Sequence, residues 1–339
     1  MEHDFRENRT ENFVKDSDIV TVPLKRVVMS IIRPARPTRS EHIVPRMLLA
    51  NFTDPDGVLW VYSKNKPVRE SNPTHECWER DFYEYELNGR KTNNKYEKWL
   101  ADVEAKAAKI MPSIIRREML DPQDCVKWAT FVASLFYRTR KVRQQISNAM
   151  LSKFREQVQN PDFIRNMQYE LLQQGEFRYA DDLKMEAEDL LAQMEKSPSF
   201  YHVSALPRQS ASIAETLLKR PWEVVDAPPG RHFVISDCPV ITMEMNGHLG
   251  TPGSGFNKEH TVVLVPITPQ KLFLVLPHGL VSQPVTTPRA LESINLLTVQ
   301  FGHKNIYANI NSSEIQALVD REINRLEFGK TAFVPIPAT

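Results

Sequence analysis

The sequence predicts an α+β fold, in which a helical middle region packs on a mostly antiparallel C-terminal β-sheet. Two patterns predict it. Between 93 and 219, apolar residues recur at spacings of three and four. From Trp222 they gather in short β-prone runs, WEVVD, HFVIS, VITMEM, TVVLVP, KLFLVLP and NIYAN. No composition break divides these regions, which predicts one domain over 41–339. Its parts are helical at 93–219, β-rich at 220–310, and a C-terminal helix at 312–328. Residues 1–40 read as a polar extension followed by a Pro- and Arg-rich linker, with a small basic cluster at Lys25, Arg26, Arg33, Arg36 and Arg39.

Bulk properties narrow the function. Hydrophobic content of 41% and charged content of 25% describe a globular protein. A net charge of +1 supplies no global field toward nucleic acid or acidic membrane, so any such contact would need a local patch. The opening residues lack an apolar signal region, and no apolar run has the length to span a bilayer. The cysteines Cys77, Cys125 and Cys238 are odd in number and widely spaced, with no CxxC. Zinc ribbons and disulfide frameworks are therefore unsupported, and a reducing, cytoplasmic setting is expected.

In chain order, Met47, Leu48, Leu49 and Phe52 fit a short helix after Pro45. Asp54-Pro55-Asp56-Gly57 is a turn signal before a strand at 58–62, and 65–77 reads as loop. Tyr96, Leu100, Val103, Ala107 and Ile110 stripe a helix over 93–119. Asp121 is a predicted N-cap with Pro122 at the first helical position. The following residues, to Tyr137, leave little polar face, so this helix should be central. Residues 144–195 read as a long peripheral helix striped by Phe177, Ala180, Leu183, Ala187, Leu190, Leu191 and Met194. Further helices are expected at 200–219 and 288–298. Ser313 with Gln316 forms a capping box for the last helix, striped by Ile315, Leu318, Val319 and Leu326. The glycine-rich stretch 250–255 has no Gly-Lys-Ser/Thr and no helix after it, so it reads as a hairpin or mobile loop and not as a phosphate loop.

Several polar residues stand out against this frame. In RHFVISDCPV (231–240) an apolar strand stops at Ser236-Asp237-Cys238-Pro239, leaving a carboxylate at the end of a core strand. Burying it requires a partner or a metal, although Asp237 and Ser236 would also satisfy turn backbone groups. Glu97 and Glu104, seven residues apart, share a helix face, as metal or acid–base carboxylates do and as solvated flanks also do. Arg138 follows directly on the buried helix and is suited to a forked contact with carboxylate or phosphate. With Arg140, Lys141 and Arg143 it makes a local basic patch that would meet nucleic acid or nucleotide. His202, near a helix start, reads first as a structural histidine. Cys238 is a weak thiol nucleophile, because the adjacent carboxylate raises its pKa.

These stretches together resemble the bacterial and fungal family called domain of unknown function 4238. The resemblance covers roughly 41 to 310. It rests on HIVPRMLLANF (42–52), ERDFY (79–83), EKWLADVE (97–104), FYRTR (136–140), HVSAL (202–206) and FVISDCPV (233–240). The family's strand motif is similar to Thr-Ser-Asp-Asn-Pro-Val, so Ile235 and Cys238 here replace Thr and Asn, and an amide donor beside Asp237 is lost. The resemblance implies a list of site residues: His42, Glu79, Asp81, Glu97, Glu104, Arg138, His202, Ser236 and Asp237. It also implies an association with bacterial antiviral defence.

Two functions are expected from this set. The first is hydrolysis of phosphodiester bonds by a nuclease-like effector. Asp237 with Glu97 or Glu104 would hold Mg²⁺ or Mn²⁺, His42 would move the proton, and Arg138 would stabilise phosphate charge. The second is a non-catalytic binding or sensor protein in which His42, Arg138 and Asp237 form a buried polar network. Its function would then lie in the helices of 144–195 and the loop near 245–258.

Overall fold

A computed structural model describes residues 41–80, 82–87, 90–91, 95–197, 199–246, 249–253, 255–256, 258–279, 287–326 and 334–335. The described residues belong to one compact unit within Arg36–Thr339. Residues 1–40, with the extension and its basic cluster, lie outside the described residues, as does Asp81.

Nine α-helices and fourteen strands are present among the described residues, and the class is α+β as predicted. The N-terminal part holds strand β1 (Glu41–His42), helix α1 (Arg46–Leu49) running into a 3₁₀ turn at Ala50–Phe52, and strands β2 (Leu59–Ser63), β3 (Arg69–Ser71) and β4 (Trp78–Glu79). A small hairpin, β5 (Glu86–Leu87) and β6 (Arg90–Lys91), precedes the helices. These are α2 (Lys95–Ile115), α3 (Pro122–Tyr137), α4 (Arg140–Val158), α5 (Pro161–Gln173), α6 (Ala180–Lys196) and α7 (Ser199–Leu218). Strands β7 (Trp222–Asp226), β8 (Ile235–Ser236), β9 (Ile241–Asn246), β10 (Leu249–Pro252), β11 (Thr261–Thr268) and β12 (Lys271–Val275) follow. Helix α8 (Pro288–Phe301), strand β13 (Asn305–Ala308), helix α9 (Ser313–Glu322) and strand β14 (Val334–Pro335) complete the chain. No described helix is long and apolar enough to cross a membrane.

The strands form an antiparallel six-stranded sheet, β14-β10-β9-β11-β12-β7, and an antiparallel four-stranded sheet, β3-β2-β13-β8. Strand β1 pairs with β4 alone. The runs TVVLVP and KLFLV are continuously apolar because both faces of the larger sheet are covered. Val263, Val265, Phe273 and Val275 face α2 and α3, where Trp128 packs edge-on to Phe273. Val262, Leu264, Leu272 and Leu274 face Leu291, Leu297 and Phe301 of α8. The smaller sheet divides similarly. Val61, Ile235 and Tyr307 join the main core, while Tyr62 and Ile306, with Val234 just before β8, meet Val299 of α8 and Val319 of α9.

Helix α3 begins as predicted, with the Asp121 carboxylate accepting from the Asp124 N–H at 2.8 Å and Pro122 in the first turn. Within the glycine-rich stretch, residues 250–252 belong to β10, which pairs with β9. Several expectations need correction. The single helix over 144–195 is three helices. It breaks where Asn160 caps α5 ahead of Pro161, and again near Gly175, whose φ of +81° ends a helix cheaply only in glycine. Phe177 lies outside the stripe and is exposed, whereas Leu183, Ala187 and Met194 are buried. The cap of α9 is Ser312 and not Ser313, and Leu326 packs beyond the helix end. In HFVIS only Ile235 and Ser236 join a sheet. The Phe233 and Val234 N–H groups go to the Pro269 carbonyl and the Asn295 side chain. The loop of 65–77 contains β3.

Trp128 is fully buried between Phe131 and Phe273. Trp128→Ala should cost about 3–5 kcal/mol of unfolding free energy, read as a lowered urea midpoint. Asp121→Ala should cost about 1 kcal/mol.

Candidate functional site

Asp237 stands at the end of β8, 5% exposed, and its carboxylate is committed to backbone. Oδ1 accepts from the His303 N–H at 2.7 Å, and Oδ2 accepts from Lys304 at 2.8 Å and Asn305 at 3.3 Å. Its own N–H donates to the Asn305 carbonyl at 3.2 Å. The side chain therefore shapes the turn between α8 and β13. Ser236 fixes the neighbouring backbone, its hydroxyl donating to the Cys238 carbonyl at 2.8 Å and accepting from the Cys238 N–H at 3.2 Å. Gly302 is needed at this approach. A Cβ there would lie 2.9 Å from Ile306 Cδ1 and 3.3 Å from Ser236 Cβ. Cys238 is buried, and burial followed by the Asp237 charge pushes its thiol up, out of the nucleophilic range.

A cleft of about 140 Å³ opens beside Asp237. Its walls come from Ile43, the segment 75–78, Arg140 at the start of α4, Asp237, Asn305 and Tyr307. Glu76 is held by Arg69 through two bonds, 2.6 and 2.9 Å, and by the Ser71 hydroxyl at 2.6 Å. Cys77 takes φ of +52° and sits 3.0 Å from the Tyr307 hydroxyl, which also accepts from Asn305 Nδ2 at 3.3 Å. Asn305 Oδ1 accepts from Ser63 at 2.7 Å. Burial, then the Asp237 charge, raises the Cys77 thiol well above its usual range, so it is a neutral hydrogen-bonding group and not a thiolate. Arg140 donates Nε–H to Glu79 at 2.5 Å.

The predicted site residues divide between places. Asp237 is at the cleft, Ser236 is fully buried before it in β8, and Glu79 reaches the cleft through Arg140. Arg138, fully buried as the C-cap of α3, bonds Glu104 of α2 at 2.6 Å, and both charges act on His42. Burial holds the His42 imidazole below its ordinary range. His42 Nε2 and Arg138 Nε and Nη2 are buried with no hydrogen-bond partner among the described residues. Glu97 lies two turns earlier in α2, in its first turn. His202 is stacked on Tyr137, ring centroids 4.8 Å apart, and bonds the Tyr137 carbonyl at 2.5 Å. Among the described residues no group of three or more His, Cys, Asp and Glu side chains is placed to hold a metal ion.

The predicted basic patch is turned inward. Arg138 is spent on Glu104, and buried Lys141 donates to the Phe301 carbonyl at 3.0 Å and the Leu326 carbonyl at 2.5 Å. Arg143 lies over the Phe82 ring, 4.2 Å from its centroid, and donates to the Phe82 carbonyl. Sequence reasoning missed His75, Glu76, Trp78, Asn305 and Tyr307 as one wall. They come from segments read as loop and as strand, and only β-pairing of β1 with β4 and of β8 with β13 brings them together.

Burial lowers the His202 pKa from 6.5 to about 4. The unfolded imidazole therefore takes a proton at higher pH than the folded one. Stability is full above pH 6.5 and falls as pH drops toward 4, by up to about 3 kcal/mol. Urea unfolding at pH 7 and pH 5 should show this loss in the wild type and a smaller one in His202→Gln.

No curated protein and no solved structure matches the chain. The model of the family described as "Protein of unknown function (DUF4238)" matches residues 41–312, a span that includes both the buried Arg138–Glu104 pair and every wall of the cleft, and the chain belongs to that family.

Proposed function

We propose that this is a binding protein that takes a small polar ligand in the cleft beside Asp237, with the motif residues holding its walls. One observation carries the reading. Polar side chains from separate segments, at 75–77, 140, 237 and 305–307, face a single cavity, while both Asp237 oxygens are already engaged by backbone N–H groups. Engaged oxygens suit a fixed acceptor better than a group that must take up and release a proton or a metal. Few convergent polar groups in a concave, preformed site are the usual signature of ligand recognition. The three free cysteines agree with the reducing, cytoplasmic setting that this reading assumes.

A second reading is favoured by Arg140 and Asp237 lining the same cavity. It is hydrolysis of phosphodiester bonds, with Arg140 on the phosphate and Asp237 and Glu76 as the carboxylates available to Mg²⁺ or Mn²⁺. A nuclease-like effector role in antiviral defence, with nucleic acid as partner, belongs to this second reading.

Incubating the purified chain with DNA, RNA and nucleotides, with Mg²⁺, Mn²⁺ or chelator, separates the two. The binding reading predicts no turnover, together with a raised melting temperature for a small polar compound in a ligand panel. Arg140→Ala should lose that rise. Metal-dependent cleavage that Arg140→Ala abolishes would replace the first reading with the second.

A further inference from the structure

Trp78 is 43% exposed, and it is the one exposed tryptophan of the five in the chain. It stands in the wall of the cleft beside Ile43 and Cys77. Its strand places it by backbone alone, pairing Trp78 with His42. An indole left in water at the mouth of a polar cleft offers a flat apolar face to a planar ligand.

The polar groups behind it are of two kinds. Arg140 gives Nε–H to Glu79, and its two terminal nitrogens keep donors for the cleft. The Asp237 carboxylate accepts three N–H groups of about four that its oxygens accommodate, so it retains an acceptor position. Asn305 and Tyr307 are bonded to each other and to Ser63 and Cys77, and so form a fixed floor. A donor and an acceptor lining one cleft complement a planar ligand that carries a hydrogen-bond acceptor beside an N–H donor. At about 140 Å³ the cleft is smaller than the roughly 300–1,000 Å³ of sites for larger ligands, so it would seat one ring system.

Resting on the binding reading above, we infer that the ligand is a nucleobase, a planar ring whose edge carries an acceptor beside an N–H donor. It stacks on Trp78, with the acceptor toward Arg140 and the N–H toward Asp237. Guanine and uracil carry such an edge as a ring carbonyl beside a ring N–H, adenine and cytosine as a ring nitrogen beside an amino group. The sugar of a nucleoside would lie outside, at the mouth.

The test is calorimetric titration of the full chain with guanosine, uridine, adenosine and cytidine, together with two non-aromatic amides, acetamide and glutamine. At least one nucleoside should bind at least tenfold more tightly than either amide. Trp78→Ala should weaken that binding at least tenfold, and Trp78→Phe should restore most of it. Because Trp78 is exposed, its variants are expected to fold, and an unchanged urea midpoint checks this. Amides that bind as tightly as the nucleosides, or full affinity in Trp78→Ala, overturn the inference. Binding of the non-aromatic amides alone overturns it and leaves the binding reading standing. If no compound binds, both fail.

Discussion

The rest of the structure hangs on one carboxylate and three backbone N–H groups. Asp237 ends a buried strand, where an ionised side chain is costly unless it is fully engaged. The turn from α8 into β13 presents the N–H groups of His303, Lys304 and Asn305, which have equal need of an acceptor. Each solves the other's problem. The result joins β8 to β13 at a point where the sheet ladder has only two paired positions. The close fit also suits Gly302, because a Cβ there would press on the Ile306 side chain, the Val299 carbonyl and Ser236.

The junction of α3 and α4 is built by the same logic with the signs reversed. A run of cations leaves the core, and each finds an acceptor inside the protein. Arg138 meets Glu104, Arg140 meets Glu79, and Lys141 caps the C-terminal carbonyl end of α8 at Phe301. A cation at that end also opposes the helix dipole. Cys238, beside Asp237, packs against Thr139 and Lys141, so the carboxylate turn and the cation run are in contact. The cleft is what lies between them. It is lined by Arg140 from one and by Asp237 and Asn305 from the other.

Much of the frame could be read in the sequence, because local physics fixed it. The Asp121 cap, the Asp54–Gly57 turn and the apolar runs of β11 and β12 need only neighbours or both-face burial to be recognised. The strand-end position of Asp237 was readable too, and so was its alternative as a satisfier of turn backbone. Its partners were not, because they lie some 66 residues away and no pattern marks an N–H group that lacks an acceptor. The basic run after Arg138 misled for a related reason. Charge density in a sequence does not say which way a side chain turns, and acceptors from α2, β4 and α8 turned these inward. Likewise no local pattern marks Trp78, and it is the pairing of β4 with β1 that places it at the cleft.

Hydrogen exchange at the amides of His303, Lys304 and Asn305 tests the Asp237 linkage most directly. In the wild type they should exchange as slowly as those of Ile306 and Tyr307 in β13. In Asp237→Asn they should exchange much faster, while amides of β11 and β12 keep their protection. Rapid exchange at 303–305 in the wild type, or unchanged exchange in the variant, would contradict the account.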